Sequence, residues 1–218
     1  DFAYTLDGDT ENEIQYENFN ACGALVEFHG VSVHPGSSKD TMVNASLVAM
    51  EFDSMLPKGE TPRDTEGYEG FYHLLNMEGE CALAKLHYII RDHDVEKFNQ
   101  RKEIMKQITD DLNKKWGKGT VVLTLKDQYR NMREVIAQHM HLINNAKKAC
   151  ETVRLTPQCL PIRGGTDGCQ LSFRGLPCPN LGTGGHAYHG PYEHISVEGM
   201  DMCVDIVVEL IKLYTEGC

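Results

Sequence analysis

Between residues 21 and 127 the hydrophobic pattern alternates between a strand period of two and a helical period near 3.6, in an order that few folds satisfy. Cys22, Ala24, Val26 and Phe28 line one face of a strand; His34-Pro35-Gly36 breaks it, and a helix is predicted from Asp40 until Pro57 and Gly59 end it. Strands are predicted over 71–77 and 82–91, joined by the tight turn Glu78-Gly79-Glu80. A second helix over 94–116 carries Phe98, Met105, Ile108 and Leu112 on one side, and a strand over 120–125 closes the unit. The order β-α-β-β-α-β implies a ferredoxin-like arrangement, a four-stranded antiparallel sheet with both helices on one side and the other face left available.

The flanking segments read as parts of a second α/β domain. Asp7-Gly8-Asp9 is a turn signal, and a return strand is predicted over 14–20. One long helix is predicted over 131–153, where Met132, Val135, Ile136, Met140, Ile143, Ala146, Cys150 and Val153 keep helical spacing. Strand ends are expected near 158–162 and 180–182. A final helix over 197–214 is expected to pack through Met200, Val204, Val207, Val208 and Ile211. The expected division is therefore a catalytic-domain segment at 1–20, an inserted domain at 21–127 and a second catalytic-domain segment at 128–218. These flanks supply fewer strands and helices than a complete α/β catalytic domain needs. The opening Asp1-Phe2-Ala3-Tyr4 already reads as a strand and has no initiator Met, so the chain is expected to begin inside a larger protein.

Charge and cysteine pattern remove several functions. A formal net charge of -11 opposes binding to a phosphate backbone, which needs clustered Lys and Arg, so no nucleic-acid partner is expected. The eight cysteines are scattered singly with no CxxC pair, against zinc ribbons and dithiol redox chemistry. No apolar stretch approaches the roughly 20 residues that span a bilayer, and the acidic N-terminal stretch is unlike a signal peptide. A reduced, cytoplasmic protein without a membrane partner is expected.

The segments that can carry chemistry are few. Gly184-Gly185-His186-Ala187-Tyr188-His189-Gly190-Pro191-Tyr192-Glu193-His194 gathers several potential metal ligands in one glycine- and proline-rich loop. A neutral imidazole held there can reach a cation, and His189 is the preferred ligand; three exposed surface histidines are the plainer alternative. Asp7, before Gly8, can project a carboxylate from a strand end into a cleft or simply make a turn. His34 in Val33-His34-Pro35-Gly36 is pushed out of its strand, or caps a turn. Arg91 ends a strand whose polar face also carries Lys85 and His87. Arg163 precedes Gly164-Gly165-Thr166-Asp167-Gly168, a loop that gives a guanidinium room for a bidentate carboxylate pair.

Taken together, Tyr4-Thr5-Leu6-Asp7-Gly8, Val33-His34-Pro35-Gly36, Ile162-Arg163-Gly164-Gly165-Thr166-Asp167-Gly168 and the histidine loop resemble, in order and spacing, the C-terminal part of the peptidase T family of di-zinc exopeptidases. That resemblance implies a ferredoxin-like lid inserted into a zinc-exopeptidase α/β catalytic domain, and release of the N-terminal residue from tripeptides. It places Asp7 on the first zinc and His189 on the second. His34 becomes a donor to the developing oxyanion, Asn44 a substrate contact, and Arg91 with Arg163 the receptors of the substrate's C-terminal carboxylate.

The family's His-x-Asp motif, bridging aspartate and Glu-Glu pair are missing from this chain. Two zinc ions per complete enzyme are therefore expected, held weakly or not at all by this chain alone. The expected partners are short peptides, the missing N-terminal half and a second copy docked through the lid. Two other readings stay open: a non-catalytic dimerisation module, and a related di-zinc hydrolase of dipeptides or acyl-amino acids.

Overall fold

The computed structural model describes residues 1–215. Along these the chain forms β1 (Thr5–Leu6), β2 (Ile14–Gln15), β3 (Asn20–His29), α1 (Ala45–Met55), β4 (Phe71–Gly79), β5 (Leu83–Asp92), α2 (Val95–Trp116), β6 (Val121–Tyr129), α3 (Arg133–Ile136), α4 (Met140–Thr152), α5 (Asp167–Ser172), β7 (Asn180–Leu181), β8 (Gly185–His186), β9 (His194–Ile195) and α6 (Val197–Thr215). They divide into two compact units, one of residues 20–128 and one of residues 1–19 with 129–218.

The 20–128 unit is a four-stranded sheet in the order β4-β5-β3-β6, the strand order of a ferredoxin-like βαββαβ fold. β5 pairs antiparallel with both β3 and β4, with Ala24 opposite Tyr88 and Val26 opposite Leu86. Alternation then decides the faces. Ala24, Val26, Phe28, Leu86, Tyr88 and Ile90 point into a core closed by Val48, Ala49 and Phe52 of α1 and by Phe98, Met105, Ile108 and Leu112 of α2. On the opposite face Leu25, Glu27, Lys85, His87 and Ile89 remain half-buried.

Both long helices are capped from their sequence. Asp94 accepts from the backbone N–H groups of Glu96 and Lys97, and Asn44 accepts from that of Leu47. The first helix thus starts at Ala45 and not at Asp40. Asp40 has φ 61°, outside the helical region, and the segment before the helix is tied to Val31 through Val43.

In the other unit β1 pairs parallel and β2 antiparallel with the central β7, in the order β1-β7-β2. The return strand expected over 14–20 is only Ile14–Gln15, with single bridges from Glu13 to Gln158 and from Asn18 to Ile162. The helix expected over 131–153 is interrupted. A 3-10 turn at Ala137–His139 separates α3 from α4, and His139 leaves the helical region at φ −130°, ψ 39°. The apolar spacing survives because Met132, Ile136, Ile143, Ala146 and Cys150 still reach one core.

The largest departure from expectation is in α6. Ile206 and Leu210 join the core cluster and Val207, as expected, packs against it, whereas Met200, Val204, Val208 and Ile211 are 45%, 60%, 43% and 58% exposed. The helix is apolar on two sides, and only one is covered.

Candidate functional site

In the 1–19/129–218 unit, β1 delivers Asp7 to the end of the parallel pair, where its N–H donates to the Leu181 carbonyl at 3.0 Å and its side chain is exposed. Gly8 follows at φ +102°, a conformation L side chains rarely adopt, and turns the chain sharply after Asp7. The Gly8 carbonyl then accepts from Thr183 Oγ1 at 2.6 Å and from the Tyr188 hydroxyl, while Gly184 N–H donates to the Asp9 carbonyl at 2.9 Å. Residues far apart in sequence are stitched together, so the Asp7 turn and the histidine loop are one local structure.

That loop is a hairpin. β8 and β9 place His186 directly opposite His194, with ring centroids 5.4 Å apart. At its tip Ala187 and His189 both have positive φ, 55° and 60°, which costs a non-glycine residue about 1–3 kcal/mol. His189 N–H donates to Glu193 Oε2 at 3.2 Å and His194 Nδ1 lies 2.7 Å from the Tyr192 carbonyl, contacts that hold the tip in that shape. His186, His189 and His194 are all exposed.

Arg163 lies in the same unit. Its guanidinium stacks 5.1 Å from the centre of the Phe19 ring, and the backbone around it is fixed by Ile162 N–H to Glu17 O and Phe19 N–H to Gly164 O. Gly165 packs against Tyr129 so closely that a Cβ there would fall 2.7 Å from Cζ, which accounts for the second glycine of the motif.

In the 20–128 unit, His34 caps the short turn Pro35–Ser37, its Nδ1 accepting from Gly36 N–H at 3.1 Å. An accepting Nδ1 puts the proton of a neutral imidazole on Nε2, leaving an N–H donor on the exposed side of the ring. Asn44 uses Oδ1 as the cap of α1, so its amide nitrogen is the group left to meet a ligand.

Arg91 lies on the polar face of its strand, where an outward, exposed side chain is expected, yet it is buried. It is only 9% exposed, with Nη1 donating to the Cys22 and Ile90 carbonyls and Nη2 to Gln128 Oε1 at 3.1 Å. The strand parity is as expected, but the end of β6 brings Gln128 over the guanidinium.

A carboxylate and an imidazole are a donor pair that suits zinc. Among the described residues no three His, Cys, Asp or Glu side chains converge as a complete metal site. No local pattern marks Thr183 and Tyr188 as the side chains that bind the loop to Gly8; the Thr183-Gly184-Gly185 run is the one signal available.

Comparison with known proteins decides the kinship. Over 216 residues the chain is 54% identical to a peptidase T of Clostridium perfringens, covering 99% of this chain and 53% of the relative. It is 51% identical over 214 residues to a peptidase T of Caldanaerobacter subterraneus, covering 98% and 52%. This chain is a relative of peptidase T. Residues 16–120 match the family described as a peptidase dimerisation domain. The chain spans about half the length of the peptidase T sequences it matches.

Solved structures agree on the fold. The aminopeptidase PepT of Bacillus cereus superposes with a TM-score of 0.83 at 22% identity, over 96% of this chain and 56% of that one. A tripeptidase of Staphylococcus aureus gives 0.84 at 18% identity, over 98% and 57%. The chain is a mixed α/β protein with a ferredoxin-like domain. Among the described residues no helix is long and apolar enough to cross a membrane.

Proposed function

We propose that this chain is the C-terminal half of a zinc-dependent aminopeptidase that releases the N-terminal residue from tripeptides, and that it is inactive by itself. The observation that carries the reading is the stitch between the Asp7 turn and the His189 hairpin through Gly8, Thr183 and Tyr188, in a chain 54% identical to a peptidase T. A turn carboxylate and a strained loop imidazole held as one unit are what a divided metal centre requires from this half. The rest must come from elsewhere.

In this reading Asp7 is a ligand of one zinc and His189 of the other. Bound zinc supplies Lewis acidity at the scissile carbonyl. The chain's own residues do the positioning. His34, with Nδ1 occupied by Gly36 N–H, offers Nε2–H to the oxygen on which negative charge develops. Arg163, stacked on Phe19, receives the substrate's C-terminal carboxylate. Asn44 contacts the peptide through its amide nitrogen. Arg91 shares in binding that carboxylate.

The match to a peptidase dimerisation domain and the half-buried outer face of the lid sheet support a homodimer through that domain. Among the described residues seven cysteines are free, which suits a reducing compartment, and we place the protein in the cytoplasm.

The test is a chimera in which the part of the Clostridium perfringens peptidase T upstream of the matched region is fused to this chain. It is expected to cleave free tripeptides in a zinc-dependent manner, and tripeptide amides poorly because they lack the carboxylate. A folded chimera that cleaves neither, beside an active native Clostridium perfringens enzyme, would overturn the proposal.

A further inference from the structure

Leu56 ends α1 in an extended conformation at φ −67°, ψ 151°, as the following Pro57 favours, and Gly59 at φ +82° turns the chain back. The Glu60 carbonyl then accepts from the Tyr72 N–H at 2.9 Å, which fastens this segment to β4, an edge strand of its sheet. Between the segment, the last turn of α1 and the strand lies a pocket of about 500 Å³, within the roughly 300–1,000 Å³ range of small-molecule sites. Its apolar walls are the buried Leu56, Tyr72 and Tyr88, with Leu74 beside them.

Charge of both signs lines the same pocket. Asp53 accepts from the Tyr88 hydroxyl at 2.7 Å through Oδ1, which leaves its second oxygen for a ligand. Lys58 is exposed and, among the described residues, enters no ion pair. Glu60 is already paired with Arg101. The backbone contributes as well. Tyr72 turns its N–H away from β5 and toward Glu60, so Leu74, two residues on, presents its N–H and C=O along the same open edge.

We propose that this pocket binds a free α-amino acid with an apolar side chain: Asp53 takes the ammonium, Lys58 and the Leu74 N–H take the carboxylate, and Leu56, Tyr72 and Tyr88 enclose the side chain. The two uncommitted charges choose this occupant. A simple anion would meet Asp53 and a simple cation would meet Lys58, whereas a zwitterion satisfies both. Asp53 also sits in the last turn of α1, where the helix dipole adds negative partial charge and favours an ammonium. Every residue named here belongs to the 20–128 unit, so Asp7 and His189 take no part. Such an amino acid is what the proposed peptidase would release, but the chemistry of the pocket stands without that reading, and binding rather than turnover reports on it.

The 218-residue chain is titrated with L-leucine and L-phenylalanine by calorimetry, and amide NMR spectra locate the site. Saturable one-to-one binding is expected, with the Leu74 amide among the shifted resonances. N-acetyl-leucine, which lacks the ammonium, and leucinamide, which lacks the carboxylate, should each bind about ten-fold or more weakly. Lys58→Met and Asp53→Asn, the latter keeping an acceptor for Tyr88, should each weaken leucine binding about ten-fold or more while the circular dichroism spectrum stays that of the parent chain. No saturable binding of either amino acid at millimolar concentration would overturn the proposal, as would undiminished binding in both variants. N-acetyl-leucine bound as tightly as leucine would reveal a plain apolar cavity and refute the zwitterion assignment. Each of these contrary results leaves the half-enzyme reading standing.

Discussion

Removing Arg101 should cost the ferredoxin-like unit several kcal/mol, although the residue lies in none of the candidate motifs. Its Nε donates to Asp92 Oδ2 at 2.9 Å, its Nη1 pairs with Glu60, and its guanidinium lies 5.3 Å from the centre of the Tyr72 ring. Asp92 is 1% exposed and Arg101 12%, so the pair is largely out of water, while Glu60 at 40% is not. Truncation to Arg101→Met keeps most of the apolar stem but strips Asp92 of its counter-charge. The Asp94 N–H then remains on Asp92 Oδ1, one neutral donor for a buried carboxylate. Breaking a buried pair this way costs about 3–5 kcal/mol, and the exposed Glu60 arm adds little. For a unit of this size each kcal/mol moves the melting midpoint by about 4–8 °C, so thermal circular dichroism should show a loss of about 12 °C or more. Adding Asp92→Asn to the same variant should recover much of it, since no unpaired charge is left. A shift below about 4 °C for Arg101→Met, or a double variant no better than the single one, would refute this reasoning.

Four further outcomes follow from particular contacts. Burial, with help from Asp127, pushes the Cys22 thiol up to about 11, and burial pushes Cys150 to about 11 as well; Cys81 and Cys159, half-exposed, should therefore react with a disulfide reagent at pH 8 well before them. Because these two thiols titrate higher folded than unfolded, their contribution to stability is complete below the ordinary thiol range and lost as pH rises toward 11, so the urea midpoint should fall between pH 8 and 10.5. Gly165→Ala should destabilise its unit by about 1–3 kcal/mol through the clash with Tyr129, measured as a drop in urea midpoint, and an unchanged midpoint would mean the ring yields freely. Asn44→Ala should cost about 1 kcal/mol from the lost cap whereas Asn44→Asp should not, and equal losses would remove the capping explanation.

The lid was legible because its strands and helices carry unambiguous periods and its caps are strong. Asp94 and Trp116 bracket a helix observed at Val95–Trp116. Failures came where one local rule met a longer-range contact. Asp40 is a good helix-starting residue, yet the Val31–Val43 bridge holds the chain out of helix until Asn44. Helical spacing from Met132 to Val153 could not reveal a 3-10 turn that shifts the helix without moving its apolar face. In α6 both sides are apolar, and periodicity does not tell which one faces a neighbour within this chain. The candidate site was legible as motifs but not as geometry. Nothing local to Gly184–His194 announces that Tyr188 and Thr183 bond to Gly8, and nothing near Arg91 announces that Gln128 covers it.

Zinc content tests the central claim most directly, because Asp7 and His189 are each proposed to hold a different metal ion. Chimeras of this chain with the upstream half of the Clostridium perfringens relative are dialysed against a weak chelator and their metal counted by mass spectrometry. About two zinc ions per chimera are expected, about one after either Asp7→Ala or His189→Ala, and none held tightly by the 218-residue chain alone. Two zinc ions retained in both variants, or two bound tightly by the isolated chain, would contradict it.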